Sequence, residues 1–501
     1  MKMRLKLTGT DREFYGLVAQ AASCNPFSDN WVDLATRIAG TTHSTPTAET
    51  DRGLARRVTD RVLALEARGK TDIRLYGAED RYLIVTALLF EVIQHFYPQF
   101  DQLILDQLQA GETSCPFPFA SEVLSTLARR GFEPAEARRY LGILYQVRRA
   151  YYFIDRGLLG KSRCMKELRL HLWNSVFTHD IRWYDLHLWN RMEDFSTLLL
   201  GETGTGKGTA AAAIGRSGFI PFDEKRRCFA ESFMRSFITL NLSQYTPALI
   251  ESELFGHKKG AFTGAIEAHQ GIFARSSQYG AILLDEIGEV AVPIQIKLLQ
   301  VLQERTFSPV GSHEKLRFQG RVVAATNKPL GELRGKGSFR DDFFYRLSSD
   351  VITVPPLRQR LREDPSELDE LLSHIVQRLI GKEATDLVEM VRDAIQESVG
   401  DQYAWPGNVR EMEQAVRRIL LTQRYQGDHK SVAPDLRSQL VSGIESGNLD
   451  ADGVLSGYCR LLYERHGTYE EVARRTHLDR RTVKAYLEKQ SATPPDASGR
   501  R

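Results

Sequence analysis

Two stretches of this chain carry residues that together could handle a phosphate ester. Gly201-Glu-Thr-Gly-Thr-Gly-Lys207 follows the apolar run 198–200 and precedes an alanine-rich stretch, 209–214. A strand, a glycine loop and a helix in that order form a phosphate cradle. Glycines let backbone N–H groups curl around phosphate oxygens, the helix N-terminus adds positive potential, and a lysine bridges to the terminal phosphates. The contacts expected here come from Gly201, Glu202, Thr203, Gly204, Thr205, Gly206, Lys207, Gly208 and Thr209. Downstream, Gly280-Ala-Ile-Leu-Leu-Asp285-Glu286 reads as a buried strand ending in two carboxylates. Asp285 can hold magnesium, directly or through water, and Glu286 can polarise an attacking water. Phosphoryl transfer needs mainly positioning and charge neutralisation, so this pair and Lys207 suffice for nucleotide hydrolysis. A strand ending in acid is common; one that follows a phosphate loop at this distance is not. The generic motif places Ser or Thr directly after the lysine to bind magnesium. Here Gly208 stands there and Thr209 comes next, which leaves the magnesium shell the least defined part of the site.

Between these motifs lies Glu253-Leu-Phe-Gly-His-Lys-Lys-Gly260-Ala-Phe-Thr-Gly-Ala265. Gly260 and Gly264 permit backbone angles closed to other residues, so Phe262 and Thr263 can be held at the tip of a mobile loop. In isolation the string reads as a turn around a buried Phe; its position between two nucleotide motifs argues for a loop that pushes on something. It resembles the contact loop of the bacterial enhancer-binding proteins, AAA+ ATPases that activate sigma-54 RNA polymerase. That resemblance implies that Gly260, Ala261, Phe262, Thr263, Gly264 and Ala265 touch sigma-54, with ATP and Mg2+ at the site.

Further positions match the same family. Gly160-Lys-Ser-Arg-Cys-Met165 resembles the opening of its AAA+ domain. Asn241 matches an asparagine that holds the catalytic glutamate inactive until the loop engages. Val323-Ala-Ala-Thr-Asn327 resembles the strand that senses the γ-phosphate, with Thr326 and Asn327 at its tip. Phe339-Arg-Asp-Asp-Phe-Phe-Tyr-Arg346 resembles the segment that inserts arginines into a neighbouring subunit's site, with Arg340 and Arg346 as candidates. Trp405-Pro-Gly-Asn-Val-Arg410 resembles the lid motif whose arginine touches nucleotide. Arginines supplied in trans make hydrolysis depend on assembly, so the resemblance implies a self-assembled ring, a hexamer. The match covers roughly 158–425. Two insertions, 178–194 and 216–236, look longer than the family norm. The first is expected at the sheet edge, with Trp183, His187 and Trp189 not a metal site. The second is expected as a surface loop or a contact with the N-terminal region.

These motifs need an α/β scaffold to position them. Apolar runs at 197–200, 237–240, 281–284, 322–325 and 351–354 alternate with helical segments, which argues a parallel sheet flanked by helices. Residues 158–355 are thus expected as an AAA+ α/β subdomain and 356–425 as a helical lid. Residues 1–157 read as a mostly helical regulatory domain: Leu54, Val58, Val62 and Leu65 recur at spacings of three and four. A phospho-receiver would open with a strand and paired acids, and only Asp11 stands near the start. His43, His95, Tyr151 and Tyr152 read as packing or surface residues. Residues 426–450 read as a polar linker and 491–501 as a disordered tail.

Residues 451–490 have helix–turn–helix form: Val472 and Ala473 face inward, Leu478 sits in the turn, and Val483 and Leu487 line the second helix. Arg480, Arg481, Thr482 and Lys484 are then free to face a major groove. Residues 457–490 carry eight Lys/Arg against five Asp/Glu, and such basic excess supplies phosphate affinity. The placement resembles the Fis-type domain of enhancer-binding proteins, which implies binding to double-stranded upstream DNA.

The chain has 501 residues, room for three or so domains, with 42% hydrophobic and 26% charged residues, as in globular protein. A net charge of only +3 confines any nucleic-acid surface to a local patch. Five cysteines without metal-ligand spacing, no signal-peptide core and no membrane-spanning run point to reduced thiols in a cytoplasm, with no membrane partner. The expectation is a sigma-54-dependent activator: helical N-terminal domain, central AAA+ ATPase with lid, all-α DNA-binding end. Two rivals carry different tests. A remodelling ATPase for a non-transcription client would be stimulated by that client. A DNA-binding regulator with a vestigial ATPase would show no turnover.

Overall fold

The computed structural model describes residues 4–41, 48–400, 402–427, 449–488 and, between them, 440, 441, 443, 444 and 447. His43, the tail 491–501 and most of the linker lie outside the described residues. The chain divides into two compact units, Met1–Tyr425 and Gln426–Arg501.

The first unit begins with helices only: α1 (Gly9–Ser23), α2 (Asp29–Ala39), α3 (Ala48–Ala67), α4 (Ala78–His95), α5 (Tyr97–Ala110), α6 (Ala120–Arg129) and α7 (Pro134–Asp155), then α8 (Arg163–Phe177). Local chemistry sets their starts. The Thr8 and Ser28 hydroxyls accept the N–H groups of Asp11 and Trp31 and cap α1 and α2. Pro134 opens α7, where a missing N–H costs nothing. Helix α7 is buried on several sides, from Tyr140 to Ile154, so its polar residues must find partners. Arg148 pairs with Asp101, its Nη2 donating to Oδ2 at 2.8 Å. Arg149, wholly buried, donates to the carbonyls of Arg216 (2.7 Å) and Gly218 (2.6 Å).

Five strands follow: β1 (Thr197–Leu200), β2 (Phe237–Asn241), β3 (Ala281–Asp285), β4 (Arg321–Thr326) and β5 (Asp350–Thr353). They form one parallel sheet in the order β2-β3-β4-β1-β5. Each coincides with an apolar run read from the sequence to within one residue at either end. Parallel strands covered on both faces require apolar residues at successive positions. Leu199, Leu283, Val323 and Ile352 join one core; Leu198, Ile282, Leu284 and Val322 join the other. The second core packs against α10 (Pro247–Phe255), α11 (Val292–Glu304) and α12 (Asp341–Leu347) through Leu254, Leu298 and Phe343. The first packs against α9 (Lys207–Gly215) and runs without a break into α7 and the helices before it, from Ala210 and Ile214 through Leu141 to Ile84 and Val18. The N-terminal helices and the α/β subdomain therefore share a core across residue 157.

The two insertions contribute to that shared core. In 216–236, the strand pair Phe222–Asp223 and Cys228–Phe229 places Phe229 on the ring of Tyr145, at 4.2 Å. The Phe117 N–H donates to the Arg227 carbonyl at 2.9 Å. Of the two readings offered for this insertion, contact with the N-terminal helices is the one seen. In 178–194, buried Tyr184 donates its hydroxyl to Gln146 Oε1 of α7 at 2.9 Å, and Asp185 pairs with Arg139. This segment thus packs on α7, while Arg305 and Arg321 tie Glu193 and Phe195 to the sheet side. No cluster of three His, Cys, Asp or Glu among the described residues could hold a metal.

The lid comprises α13 (Leu357–Glu363), α14 (Glu367–Ile380), α15 (Thr385–Val399) and α16 (Asn408–Thr422) around Leu372, Val391 and Val416. In the second unit α17 (Ala451–His466), α18 (Tyr469–Thr476) and α19 (Arg480–Glu488) enclose Cys459, Leu462, Val472 and Val483. Asp479 caps α19 by accepting the N–H groups of Arg481 (2.9 Å) and Thr482 (3.0 Å). All five cysteines are free. Among the described residues no single helix is long and apolar enough to cross a membrane; α4 and α5 qualify by composition only as a pair bent by 60°.

Candidate nucleotide site and contact loop

Strand register assembles the site. Asn241 lies opposite Asp285, Asp285 opposite Ala325, and Leu200 opposite Thr326. The carboxyl ends of β1 to β4 therefore bring the glycine loop, the acid pair and Thr326–Asn327 to one edge of the sheet, the edge where open parallel sheets bind ligands. Lys207, first residue of α9, is buried, and its Nζ donates to the carbonyls of Gly201 (2.9 Å) and Glu202 (3.0 Å). Burial pushes its pKa down, against the attraction of Glu286 and Asp285. Asn327 Nδ2 donates to Thr203 Oγ1 at 2.7 Å, and Thr326 is fully buried. Thr205 closes the loop on itself by donating to the Glu202 carbonyl at 2.9 Å. Gly204 has φ +80°, and a Cβ there would meet the Gly407 carbonyl at 2.3 Å, so only glycine fits. Gly206 caps α9, whose first turn exposes Gly208 and Thr209.

The acid pair departs from one expectation. The Asn241 amide lies 3.5 Å from Asp285 Oδ2 and contacts that residue rather than Glu286. Register is the cause, since Asn241 and Asp285 are direct cross-strand neighbours. Glu286 turns away in a left-handed backbone conformation, φ 56°. Its Oε2 is buried and has no hydrogen-bond partner among the described residues. A strained backbone and an orphaned buried oxygen are features that recur at functional sites. Magnesium usually takes one or two protein oxygens and completes its shell with water and phosphates. Asp285 fits that requirement, whereas the position directly after Lys207 is Gly208 and offers no hydroxyl.

Sequence reading missed the residues that join the lid to the glycine loop. Asn408 is fully buried, accepts the Leu357 N–H at 2.7 Å, and donates to the Thr203 carbonyl at 3.0 Å and Glu202 Oε2 at 3.2 Å. Arg358 grips the same Glu202 carboxylate through both terminal nitrogens, one of them at 2.7 Å, and holds the Glu202 pKa down. The available signal was an Asn in a Pro-Gly-Asn turn before a helix, since Asn tolerates the φ of 55° found there. Arg410, the residue expected from that motif, lies exposed beside the loop on the first turn of α16. Arg340 pairs with Asp342 at 2.7 Å, and Arg346 donates to the Leu302 carbonyl at 2.8 Å. Among the described residues, neither bonds to its own chain's nucleotide site.

The loop between α10 and Ile272 is pinned at its base by paired His257 and His269 N–H···O bonds, both 3.0 Å. Two tight turns form its tip. The Ala261 N–H bonds the Lys258 carbonyl at 3.1 Å, and the Ala265 N–H bonds the Phe262 carbonyl at 3.0 Å. Gly260 (φ 80°) and Gly264 (φ 102°) occupy the third position of each, which requires positive φ. Ala265 is buried, Thr263 is exposed, and Phe262 is 42% exposed with its ring 4.9 Å from His257. In the second unit, Arg481 and Lys484 lie exposed on α19, Arg480 pairs with Glu470 at 2.9 Å, and Thr482 bonds Asp479 at 2.6 Å.

Residues 187–353, which hold all of the glycine loop, the acid pair and the Phe262 loop, match the Sigma-54 interaction domain. The sigma54-dependent transcriptional activator SfnR of Pseudomonas putida is 37% identical over 284 residues, covering 55% of this chain and 71% of that protein. This chain belongs to the sigma-54-dependent transcriptional activators. The regulatory protein AtoC of Escherichia coli (strain K12) is 39% identical over 226 residues, 45% of each chain, so the match spans about half the length of that relative. Among solved structures, NtrX from Brucella abortus superposes at a TM-score of 0.39 and 21% identity, covering 73% of this chain and 79% of that one. That superposition is too loose to transfer detail to this activator.

Proposed function

We propose that this activator hydrolyses ATP to remodel the sigma-54 RNA polymerase closed complex toward an open one, while bound to upstream double-stranded DNA. The observation that carries the reading is the common sheet edge shared by Lys207, Asp285 and Glu286, with the Phe262 loop built into the connection between β2 and β3. Lys207 exchanges its loop carbonyls for phosphate oxygens. Glu286, whose free oxygen lacks a partner among the described residues, polarises the attacking water. Magnesium, when held by Asp285, would neutralise charge on the transferring group. Asn327, already on Thr203, relays the state of the terminal phosphate, and Asn241 couples it to the acid pair through Asp285. Arg340 and Arg346 complete a neighbouring subunit's site, which makes the active form a ring, a hexamer. Phe262 and Thr263 engage sigma-54. Arg480, Arg481, Thr482 and Lys484 on α19 read the DNA major groove in a helix–turn–helix, in the cytoplasm where the polymerase works. The test is ATP turnover and promoter opening with sigma-54 holoenzyme for wild type and Glu286→Gln. Loss of both in the variant is expected; opening by Glu286→Gln at the wild-type rate would remove hydrolysis from the mechanism.

A further inference from the structure

We propose that the N-terminal helical region holds a binding site for a small, uncharged, flat and largely apolar molecule bearing one hydrogen-bond donor, in a cavity of about 580 Å³ walled by α1 to α5, α7 and α8. A cavity of that size accepts a drug-sized ligand. Its walls include the rings of Trp31, Tyr82, Phe90, Tyr97, Tyr151 and Trp173. Elsewhere in this region large apolar side chains such as Ile84, Leu88 and Phe100 are wholly buried. Here Trp31, Tyr82, Phe90 and Tyr151 are only half-buried. Aromatic rings gathered around a cavity favour a flat apolar body.

The charged groups at the cavity decide the rest. Arg148 is held by Asp101 and lies over the rings of Tyr97 (3.8 Å) and Tyr151 (5.1 Å). Arg182 lies over the Tyr82 ring at 4.4 Å. Asp185 is taken by Arg139 and the Tyr140 hydroxyl. Asp51, exposed at the mouth of the cavity, has neither ion pair nor hydrogen bond to the described residues. An anion would meet Asp51 and a cation would meet three arginines, Arg52, Arg148 and Arg182, so a neutral ligand fits best. A single N–H or O–H would give Asp51 its partner.

Helix α7 links this site to the glycine-loop helix. Ile143, Leu144 and Val147 face the cavity. On the other side of the same turns, Gln146 donates to the Ser217 carbonyl at 2.9 Å, and Arg149 holds the carbonyls of Arg216 and Gly218. Those carbonyls directly follow α9, which begins at Lys207. A ligand that shifts or stiffens α7 is therefore felt at the end of α9. Its consequence for ATP hydrolysis rests on the function proposed above, so the test uses no nucleotide.

The probe is 2-naphthol, neutral and flat with one hydroxyl, titrated calorimetrically into the full-length protein. Saturable binding with Kd below about 1 mM is expected. Ala22→Trp and Ala55→Trp, two half-buried wall positions, fill the cavity and should each weaken binding by at least roughly tenfold, with thermal melts by circular dichroism confirming the fold. Asp51→Ala should weaken binding while Asp51→Asn, which keeps an acceptor oxygen, stays near wild type. Amide exchange at 142–150 and 216–220 should slow in the bound state. Absence of saturable binding, or binding unchanged in whichever filling variant is folded, would overturn the site. Binding with unchanged exchange at 216–220 would overturn the link to α9.

Discussion

Asn408 offers the sharpest perturbation of the nucleotide site that leaves its chemistry untouched. It sits fully buried in the left-handed region, φ 55°, and its side chain makes three hydrogen bonds, one within the lid to Leu357 and two to the glycine loop at Thr203 and Glu202. Asn408→Ala removes all three. Two backbone groups, the Leu357 N–H and the Thr203 carbonyl, lose their partner, at about 1–3 kcal/mol each. The left-handed backbone costs alanine roughly a further 1–2 kcal/mol. Water reaches the exposed tip of the loop at Thr203 and recovers part of the loss, so the low end of the sum, about 3 kcal/mol, is expected. Only the two bonds to the glycine loop bear on docking, about 2 kcal/mol of that sum, so if nucleotide binds only the docked arrangement, affinity falls roughly 30-fold. Asn408→Asp keeps the acceptor for Leu357 but turns its other oxygen toward a carbonyl and the Glu202 carboxylate. Arg358 already neutralises much of Glu202, so this defect is smaller. It should shrink further at acidic pH, where the introduced carboxyl is protonated and regains a donor. Titration of a fluorescent ADP analogue into each protein reads these shifts. Asn408→Ala that binds within roughly threefold of wild type, under about 1 kcal/mol, would refute the anchoring role.

The other predictions concern chemistry and partners. Glu286→Gln should bind ATP yet turn over about 10²–10⁴-fold more slowly, whereas Lys207→Ala should weaken binding itself; nucleotide titration beside phosphate release separates the two. Mixing Arg340→Ala with Glu286→Gln should restore some turnover, since mixed rings contain sites with a sound arginine and a sound glutamate; no rescue, with turnover independent of protein concentration, would place a complete site in one chain. Replacing Arg480, Arg481 and Lys484 together by Ala should leave ATPase intact, abolish site-specific DNA binding and flatten its salt dependence, each lost phosphate contact contributing a slope of about 0.9. Retained selectivity in a filter-binding assay would move DNA reading elsewhere in the chain.

Much of this was legible because it is local. The five strands announce themselves as unbroken apolar runs, since both faces of the sheet are covered. The glycine loop, Asp285–Glu286 and the turn glycines 260 and 264 are contiguous strings whose spacing carries their geometry. What escaped depends on partners far along the chain. Asn408 meets Glu202 across 206 positions, and nothing beside Asn408 in the sequence signals that bond. The partner of Asn241 followed from strand register, which placed it on Asp285 instead of Glu286. The boundary at residue 157 looked like a domain junction because the motifs begin there. The structure instead runs one core across it, with Arg149 buried against the end of α9.

Coupling of ATP hydrolysis to sigma-54 through the exposed tip at Phe262, as proposed above, requires that turnover and promoter opening separate when that tip is lost. The direct measurement is promoter opening by sigma-54 holoenzyme, with ATP turnover recorded in the same samples, for wild type and Phe262→Ala. Phe262 is 42% exposed and contributes little to the core, so the variant should fold, hydrolyse ATP near the wild-type rate and open no promoter; Thr263→Ala should behave alike. Promoter opening by Phe262→Ala at the wild-type rate would contradict the account.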